Sequence, residues 1–328
     1  MNRLRTIAIF LIISLQVRAQ HDSVISAIDV YGFEHELTVT SKLSFFIDSL
    51  ANSDINRVLQ QNFQDSFRIY DDSLNQNPQK HIFWLKFGVK NISDKPLLLH
   101  LYCGDLDYID LFFITDHKID QKALGGELRR SSASSSFIER TSMTLPLRIR
   151  AGQSGEIYIR YCQKSQEYSF GGIEIYDQEN LYASYANDYE HSRYFVFFQQ
   201  LFQGFLLCQL LYVLFQWMII RRPEYLYYAC YLLLIAVYFL SKYESIYGIS
   251  FIFSKYPLLK IYLNKTLIIS PYYFYFRFVR SFLEMRDNYP RLNRWIIWIE
   301  YFLLFYLAFD LVFIMTTFNI PLQRKIYT

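Results

Sequence analysis

The sequence predicts an exported all-β sandwich followed by an α-helical transmembrane bundle of about four spans. Three observations favour this fold class. A short apolar segment behind two arginines opens the chain, short strand-like segments alternate with turns up to about residue 180, and long apolar runs dominate after residue 194. The chain has 328 residues, which is long enough for two such domains.

Residues 1–19 have the pattern of a secretory signal peptide. Arg3 and Arg5 provide the positively charged start, residues 7–15 provide an apolar core, and the small residue Ala19 precedes the expected cleavage site. The apolar core is about half as long as the roughly 20 residues that span a bilayer. We therefore expect cleavage after Ala19 and export of the residues that follow, with an uncleaved anchor as the alternative.

Residues 20–180 are predicted to form an extracytoplasmic β-sandwich. The predicted strands are 37–46, 81–89, 97–103, 108–114, 144–149 and 156–161. Turn residues separate them, and 156–161 alternates polar and apolar residues with the period of two that is typical of a half-buried antiparallel strand. A helical stretch is expected only at 49–61. Many short strands at this spacing favour a sandwich.

Four apolar runs follow a polar linker at 181–193 that is predicted to be helical. The predicted spans are about 195–220, 225–250, 258–278 and 295–318, and 321–328 form a tail. The first span contains no charged residue and is about 39 Å long as a helix, enough to cross about 30 Å of hydrocarbon. The third run contains Pro271, which a span tolerates where neighbouring helices satisfy the freed carbonyl. Four spans fit the sequence best, with three or five as the alternatives.

Basic residues predict the orientation of these spans. With the N-terminal domain exported, the first internal loop carries Arg221 and Arg222, and the second carries the five arginines between 277 and 294. The external connection carries three lysines instead. Positive residues favour the cytoplasmic side, so this bias supports a multi-pass protein with an exported N-terminal domain.

Several short segments resemble bacterial seven-transmembrane receptors with diverse intracellular signalling modules. In the first half they are Phe83-Trp84-Leu85-Lys86-Phe87, Asn91-Ile92-Ser93-Asp94 and Leu106-Asp107-Tyr108-Ile109-Asp110-Leu111-Phe112. In the second half they are Arg221-Arg222-Pro223-Glu224-Tyr225-Leu226-Tyr227-Tyr228-Ala229, then Arg277, Phe282-Leu283 and Pro290-Arg291-Leu292. The resemblance extends over roughly residues 28–318.

This resemblance implies a jelly-roll-like sensor domain, similar to carbohydrate-binding modules, in the bacterial cytoplasmic membrane. It further implies seven helices that relay a signal to a cytoplasmic output domain such as a histidine kinase, a diguanylate cyclase or a DNA-binding regulator. About four spans are predicted before Thr328, which would leave the C-terminus outside. We therefore expect the chain to be the sensing end of a longer receptor. A short form that pairs with another membrane protein is the alternative.

The sequence contains no motif for a catalytic, cofactor or metal site. His35-Glu36 lacks the second histidine of a zinc motif, and Asp71-Asp72 lies among turn residues. We expect no enzyme activity, and the net charge of +3 does not favour nucleic-acid binding. The expected partners are a small-molecule or carbohydrate ligand outside, the lipid bilayer and a cytoplasmic signalling output domain or partner, with a homodimer left open.

Two charged residues lie inside predicted spans. Asp310 is a candidate for an intramembrane polar lock between helices, because a carboxylate at membrane depth costs about 2.5–3.5 kcal/mol unless it has a partner or water. A protonated or interface-reaching Asp310 is the alternative, and Lys265 is expected to extend toward the interface. Cys103 and Cys162 lie in the exported domain, where a disulfide is possible but two free thiols are favoured.

The ligand-binding residues are not defined by the sequence. Tyr102, Tyr108, Tyr161 and Tyr168 are aromatic residues that could stack on a sugar. Three functions remain: a sensory receptor, a membrane transporter and a membrane-anchored carbohydrate-binding protein. Four spans exceed what an anchor needs, and no inverted repeat points to a transporter. The receptor is therefore the favoured function.

Overall fold

The structure is a computed structural model of the chain. It describes residues 27–31, 37–39, 42–49, 53–70, 81–104, 106–129, 144–164, 170, 172–243, 253 and 255–317. The predicted signal peptide and the predicted tail lie outside these residues.

The described part of the N-terminal half folds into two β-sheets. The seven-stranded sheet has the order β4 (Arg68–Ile69), β3 (Ser44–Asp48), β5 (Ile82–Asn91), β10 (Ser154–Cys162), β7 (Tyr108–Thr115) and β8 (Lys118–Gly125), with β1 (Ile28–Val30) also pairing with β5. The four-stranded sheet has the order β2 (Leu37–Thr38), β11 (Glu174–Tyr176), β6 (Leu97–Tyr102) and β9 (Thr144–Ile149). The pairing of β1 with β5 is parallel and the other pairings are antiparallel.

The hydrophobic core lies between the two sheets. Alternate residues of the central strands β5, β10 and β7 point into it, as Ile157, Ile159 and Tyr161 do on β10. Leu99 and Leu147 reach the same core from the four-stranded sheet. Full burial of one such side chain contributes about 1.5–3 kcal/mol. The buried side chains that alternate with period two along these strands therefore hold the two sheets together. The predicted β-sandwich is confirmed.

A second, smaller cluster covers the outer face of the seven-stranded sheet. Two short helices, α1 (Ile55–Val58) and α2 (Gln61–Gln64), pack there over Trp84 and Tyr158. Asp54 caps α1, since its carboxylate accepts the backbone N–H of Arg57 at 2.9 Å. The helical stretch expected at 49–61 therefore contains α1, while α2 begins at its end.

The prediction of one strand over 37–46 is wrong. The structure divides this region between β2, which pairs with β11, and β3, which pairs with β5 in the other sheet. The chain crosses from one sheet to the other within the predicted strand. An apolar pattern is the same whichever sheet buries it, so local alternation cannot mark such a crossing.

The second half of the described chain is helical. The helices are α3 (Gln178–Ile220), α4 (Pro223–Tyr243), α5 (Pro257–Phe282), α6 (Met285–Asn288) and α7 (Pro290–Thr317). Among the described residues, three helices are long and apolar enough to cross a membrane: Arg193–Ile220, Pro223–Lys242 and Pro290–Thr317. Helix α5 is long but carries four basic residues, so its role as a fourth span stays a prediction.

Helix α3 joins the sandwich to the membrane part. The Asp177 carboxylate accepts the Asn180 N–H at 2.8 Å and starts the helix beside the last strand. Leu181, in the first turn, is buried against Tyr176. The helix then continues for 43 residues, about 65 Å, and ends at Arg221, which has a left-handed φ of 62°. The polar segment 181–193 lies inside this helix.

Side-chain contacts show which helix ends lie together. The Ser281 hydroxyl at the end of α5 donates to the carboxylate of Glu224 in the first turn of α4 at 3.4 Å. At the other end of α5, the Lys260 ammonium lies 3.9 Å from the carboxylate of Glu127, just after β8. Helix α5 therefore runs from the sandwich end of the bundle to the opposite end, where α4 and α7 begin.

Candidate signalling site

A buried ion-pair cluster joins α5 to α7 at the end of the bundle opposite the sandwich. The carboxylate of Glu300 on α7 is 4% exposed, and its Oε2 atom accepts from Arg280 Nη1 at 2.6 Å and lies 3.3 Å from Arg277 Nε. Arg280 Nε also donates to Asn293 Oδ1 at 2.8 Å. We call these four residues the Glu300 cluster.

Helical spacing explains why these residues meet. Arg277 and Arg280 are three residues apart and so share a face of α5. Asn293 and Glu300 are seven residues apart, about two turns, and share a face of α7. The two helices pack with these faces together, which places two guanidinium groups around one carboxylate.

Two guanidinium groups compensate the burial of the Glu300 carboxylate. A buried carboxylate without a partner would be costly, whereas a hydrogen bond to a charged group contributes about 1.5–3 kcal/mol. The side chains of Arg277 and Arg280 are 40% and 21% exposed, so both can still contact water or headgroups. Both arginines use the same oxygen of Glu300, and the Oε1 atom is buried without a hydrogen-bond partner among the described residues.

The arrangement can therefore hold the two helices in one register and can also exchange partners. A second oxygen of the same carboxylate is available to the two guanidinium groups without the helices separating. The neighbouring pair of Glu224 and Arg222, 3.5 Å apart, extends the charged contacts to the start of α4. Three helices thus meet through polar groups at this end.

Asp310 lies in the same helix as Glu300 but is not part of this cluster. Its side chain is buried, with 1% of the residue exposed, about 15 Å further along α7. Pro271 is buried within α5, and Lys265 is half-buried on the same helix. The structure therefore places all three predicted intramembrane residues in the bundle without bringing them into the Glu300 cluster.

Sequence reasoning missed Glu300 and misplaced its partners. Arg277 and Arg280 are expected in a loop, but the structure places both in the last turns of α5. Two arginines three residues apart at the end of one span, with an acid inside the next span, are a signal that could have predicted the contact.

The tyrosines of the sandwich differ in their access to a ligand. Tyr161 is buried and stacked between Phe83 and Phe170, with ring centroids 4.9 and 5.4 Å away, so the expectation that it could stack on a sugar is wrong. Tyr102 packs against the start of α3. Tyr168 lies outside the described residues.

Tyr108 is half-exposed, as is Tyr102, and it lies beside two cations. The guanidinium of Arg129 and the ammonium of Lys164 lie 5.9 and 5.8 Å from its ring centroid. Burial raises the pKa of the Tyr108 hydroxyl, and the charge of Asp107 adds to the effect. The side chain therefore stays neutral near pH 7 and presents an aromatic face next to two cations.

Polar groups also line the outer face of the seven-stranded sheet. Lys86 Nζ lies 2.9 Å from the carboxylate of Glu156 and donates to Gln64 Oε1 at 2.7 Å, which ties α2 to β5 and β10. Burial, followed by the charge of Glu156, raises the pKa of the Tyr158 hydroxyl beside them. This group fastens α2 over the sheet.

The cysteines of the sandwich are both free thiols. Cys103 is fully buried in the core, and burial raises the pKa of its thiol to about 12. Cys162 is half-buried at the end of β10. Among the residues that the structure describes, no group of three His, Cys, Asp or Glu side chains could hold a metal ion.

Comparison with known families identifies both halves of the chain. A family model described as 7TMR-DISM extracellular 2 matches residues 40–169, and one described as 7TM diverse intracellular signalling matches residues 195–327. The chain belongs to the 7TMR-DISM receptor family. A comparison with curated proteins found no match.

The two 7TMR-DISM matches correspond to the two parts of the fold. The extracellular match begins before β3 and ends after β10, and the membrane match begins within α3. The sandwich end of α3 lies between them and connects the extracellular part to the first span. The protein is therefore a multi-pass membrane protein with the extracellular domain of a receptor family.

Proposed function

We propose that the chain is a sensory receptor that binds a small ligand outside the cell, carbohydrate being one candidate. Its helix bundle relays binding to a cytoplasmic output domain or partner protein. The observation that carries this proposal is the continuity of α3, which begins against the sandwich and continues as a span. A single helix therefore begins against the last strand of the sandwich and continues into the region that the membrane family model matches.

The contact between α3 and the four-stranded sheet is the point where binding can act on the helix. Leu181 and Tyr176 are buried together, and Tyr102 and Tyr185 pack around them. Tyr102 and Tyr176 belong to neighbouring strands of that sheet. A ligand that binds more tightly to one arrangement of these strands increases the population of that arrangement. The position of α3 that packs against this arrangement becomes more populated with it.

The proposed orientation places the sandwich outside and the Glu300 cluster at the cytoplasmic face. Arg221 and Arg222 lie at the same end as the Glu300 cluster, and positive residues favour the cytoplasmic side. The contact of Lys260 with Glu127 supports α5 as a fourth crossing, because its 26 residues cover about 39 Å between the two ends. Cleavage after Ala19 and the bacterial cytoplasmic membrane complete this proposal.

Two polar sites in α7 are candidates for the contact between helices that changes during signalling. Asp310 is the proposed polar lock inside the bundle, and Glu300 supplies a second contact that is defined by its two arginines. Both lie on the helix that packs against α5, and a shift of α5 would change the contacts of Glu300 with Arg277 and Arg280.

Insertions after Ala186 test the relay. A seven-residue insert of Ala, Glu and Lys adds about two turns and keeps the phase of α3 to within about 20°. A matched seven-residue insert of Gly and Ser interrupts it. Spin labels at Tyr272 and Phe302, both exposed, report the distance between α5 and α7 in a variant without native cysteines, reconstituted in nanodiscs.

A panel of mono- and oligosaccharides is the ligand probe, scored first by thermal shift of the uninserted protein. A saccharide that stabilises it should change the spin-label distance in this protein and in the helical insert, but not in the Gly/Ser insert. An equal change in both inserts would refute the relay through α3. The absence of any stabilising saccharide would refute the carbohydrate assignment.

A further inference from the structure

The start of α7 carries an exposed stripe of two arginines and two tryptophans. Arg291, Arg294, Trp295 and Trp298 are all exposed, and their spacing of three and four residues places them on one face of the helix. Trp295 and Trp298 are 72% and 68% exposed, higher than most apolar side chains of the bundle. We call these four residues the Arg–Trp stripe.

The two arginines of the stripe have no acidic partner among the described residues. Arg277 and Arg280 at the same end pair with Glu300, and Arg222 pairs with Glu224. Arg291 and Arg294 therefore differ from these arginines, since their charge is not neutralised by a described carboxylate. A guanidinium group presents several N–H donors in a plane and suits bidentate binding of phosphate.

The tryptophans place this charge at a defined depth. An indole ring prefers the boundary between hydrocarbon and headgroups, where its apolar body is buried and its N–H remains polar. Arg291 and Arg294 precede Trp295 and Trp298 along the helix, so they lie on the outer side of that boundary. This depth is that of the lipid phosphate groups.

We propose that the Arg–Trp stripe binds the headgroup of an anionic phospholipid in the leaflet opposite the β-sandwich. The two guanidinium groups contact the phosphate, and the tryptophans pack beside the acyl chains next to it. The stripe selects anionic over zwitterionic lipid, because a zwitterionic headgroup carries its own cation next to the phosphate. This binding does not depend on the receptor function proposed above.

The test compares phosphatidylglycerol with phosphatidylcholine in the full chain. The protein is reconstituted in nanodiscs that contain both lipids, extracted in mild detergent, and the retained lipids are measured by native mass spectrometry. Arg291→Gln and Arg294→Gln each remove one charge from the stripe. Arg286→Gln is the matched control, because Arg286 is exposed at the same end but lies on α6.

Phosphatidylglycerol should be enriched over phosphatidylcholine on the unmodified chain. Each stripe variant should reduce this enrichment about fivefold, the effect expected for one basic residue near an anionic surface, while Arg286→Gln should change it less than twofold. Thermal unfolding in phosphatidylcholine alone should be unchanged in all three variants, because the replaced side chains are exposed.

Three outcomes would overturn the proposal. Equal retention of the two lipids by the unmodified chain would exclude selective binding. An equal loss in Arg286→Gln would assign the effect to overall charge. Displacement of phosphatidylglycerol by inorganic phosphate in the extracted protein would identify a site for free phosphate rather than for lipid.

Discussion

The substitution Glu300→Gln tests the Glu300 cluster most directly. It keeps the size of the side chain but removes the charge that two guanidinium groups share in a site where Glu300 is 4% exposed. Two charge-assisted contacts at about 1.5–3 kcal/mol each give a gross loss of about 3–6 kcal/mol. The amide oxygen can still accept one hydrogen bond, and Arg277 is 40% exposed and regains water. We therefore expect a net loss of about 2–3 kcal/mol.

The assay is reversible unfolding of the full chain in mixed micelles with increasing denaturing detergent. Glu284→Gln is the matched control, because Glu284 is an exposed acid at the same end of the bundle without a described salt bridge, and it should change the free energy of unfolding by less than about 0.5 kcal/mol. In the double variant with Arg280→Gln, the losses should be less than additive, since both changes break the same contact.

A free energy of unfolding for Glu300→Gln within about 0.5 kcal/mol of the unmodified chain would refute this reasoning. Strictly additive losses in the double variant would also contradict it. In either case the contact between Arg280 and Glu300 would contribute nothing to the free energy of unfolding of the bundle.

Three further predictions concern the sandwich. Gly126→Ala should destabilise it by about 1–3 kcal/mol, because Gly126 has a φ of 115° and an added Cβ would lie 2.3 Å from the Asp107 carbonyl oxygen. Gly152→Ala should destabilise the sandwich less, because a Cβ added there meets open space. Hydrogen–deuterium exchange in urea compares the stability of the two variants. The Cys103 thiol should react with maleimide at pH 8 more slowly than Cys162, because it is fully buried with a pKa of about 12. Since the ordinary thiol pKa is 9.0, the unfolded state loses this proton first, and the free energy of unfolding should fall between pH 9 and about 12. Equal labelling rates would contradict the buried position of Cys103.

Local patterns in the sequence determined the regular parts of this protein. Strand β10 follows from the alternation at 156–161, and its inward residues are buried as the period of two requires. Three of the expected spans coincide with apolar helices, because a run of apolar residues has few stable places other than a bilayer or a large core. Such patterns depend only on neighbouring residues.

Strand β8 shows where local patterns fail. Its sequence, Lys118–Gly125, is polar and largely exposed, and no alternation marks it as a strand. It forms because β7 offers an unpaired row of backbone groups, to which β8 hydrogen-bonds as the edge strand. The division of 37–46 between two sheets has the same cause, since partners distant in sequence decide it.

The Glu300 cluster was decided only by tertiary structure. Each of its residues has an ordinary place in its own helix, and the sequence identified Asp310 rather than Glu300 as the notable acid. The contact exists because α5 and α7 pack with their polar faces at the same level. It joins Arg280 to Glu300, which are 20 residues apart along the chain. Composition and periodicity determine the core strands and the spans, because solvent and backbone geometry act on each residue locally. The pairing of charges depends on the register between elements, which only packing sets.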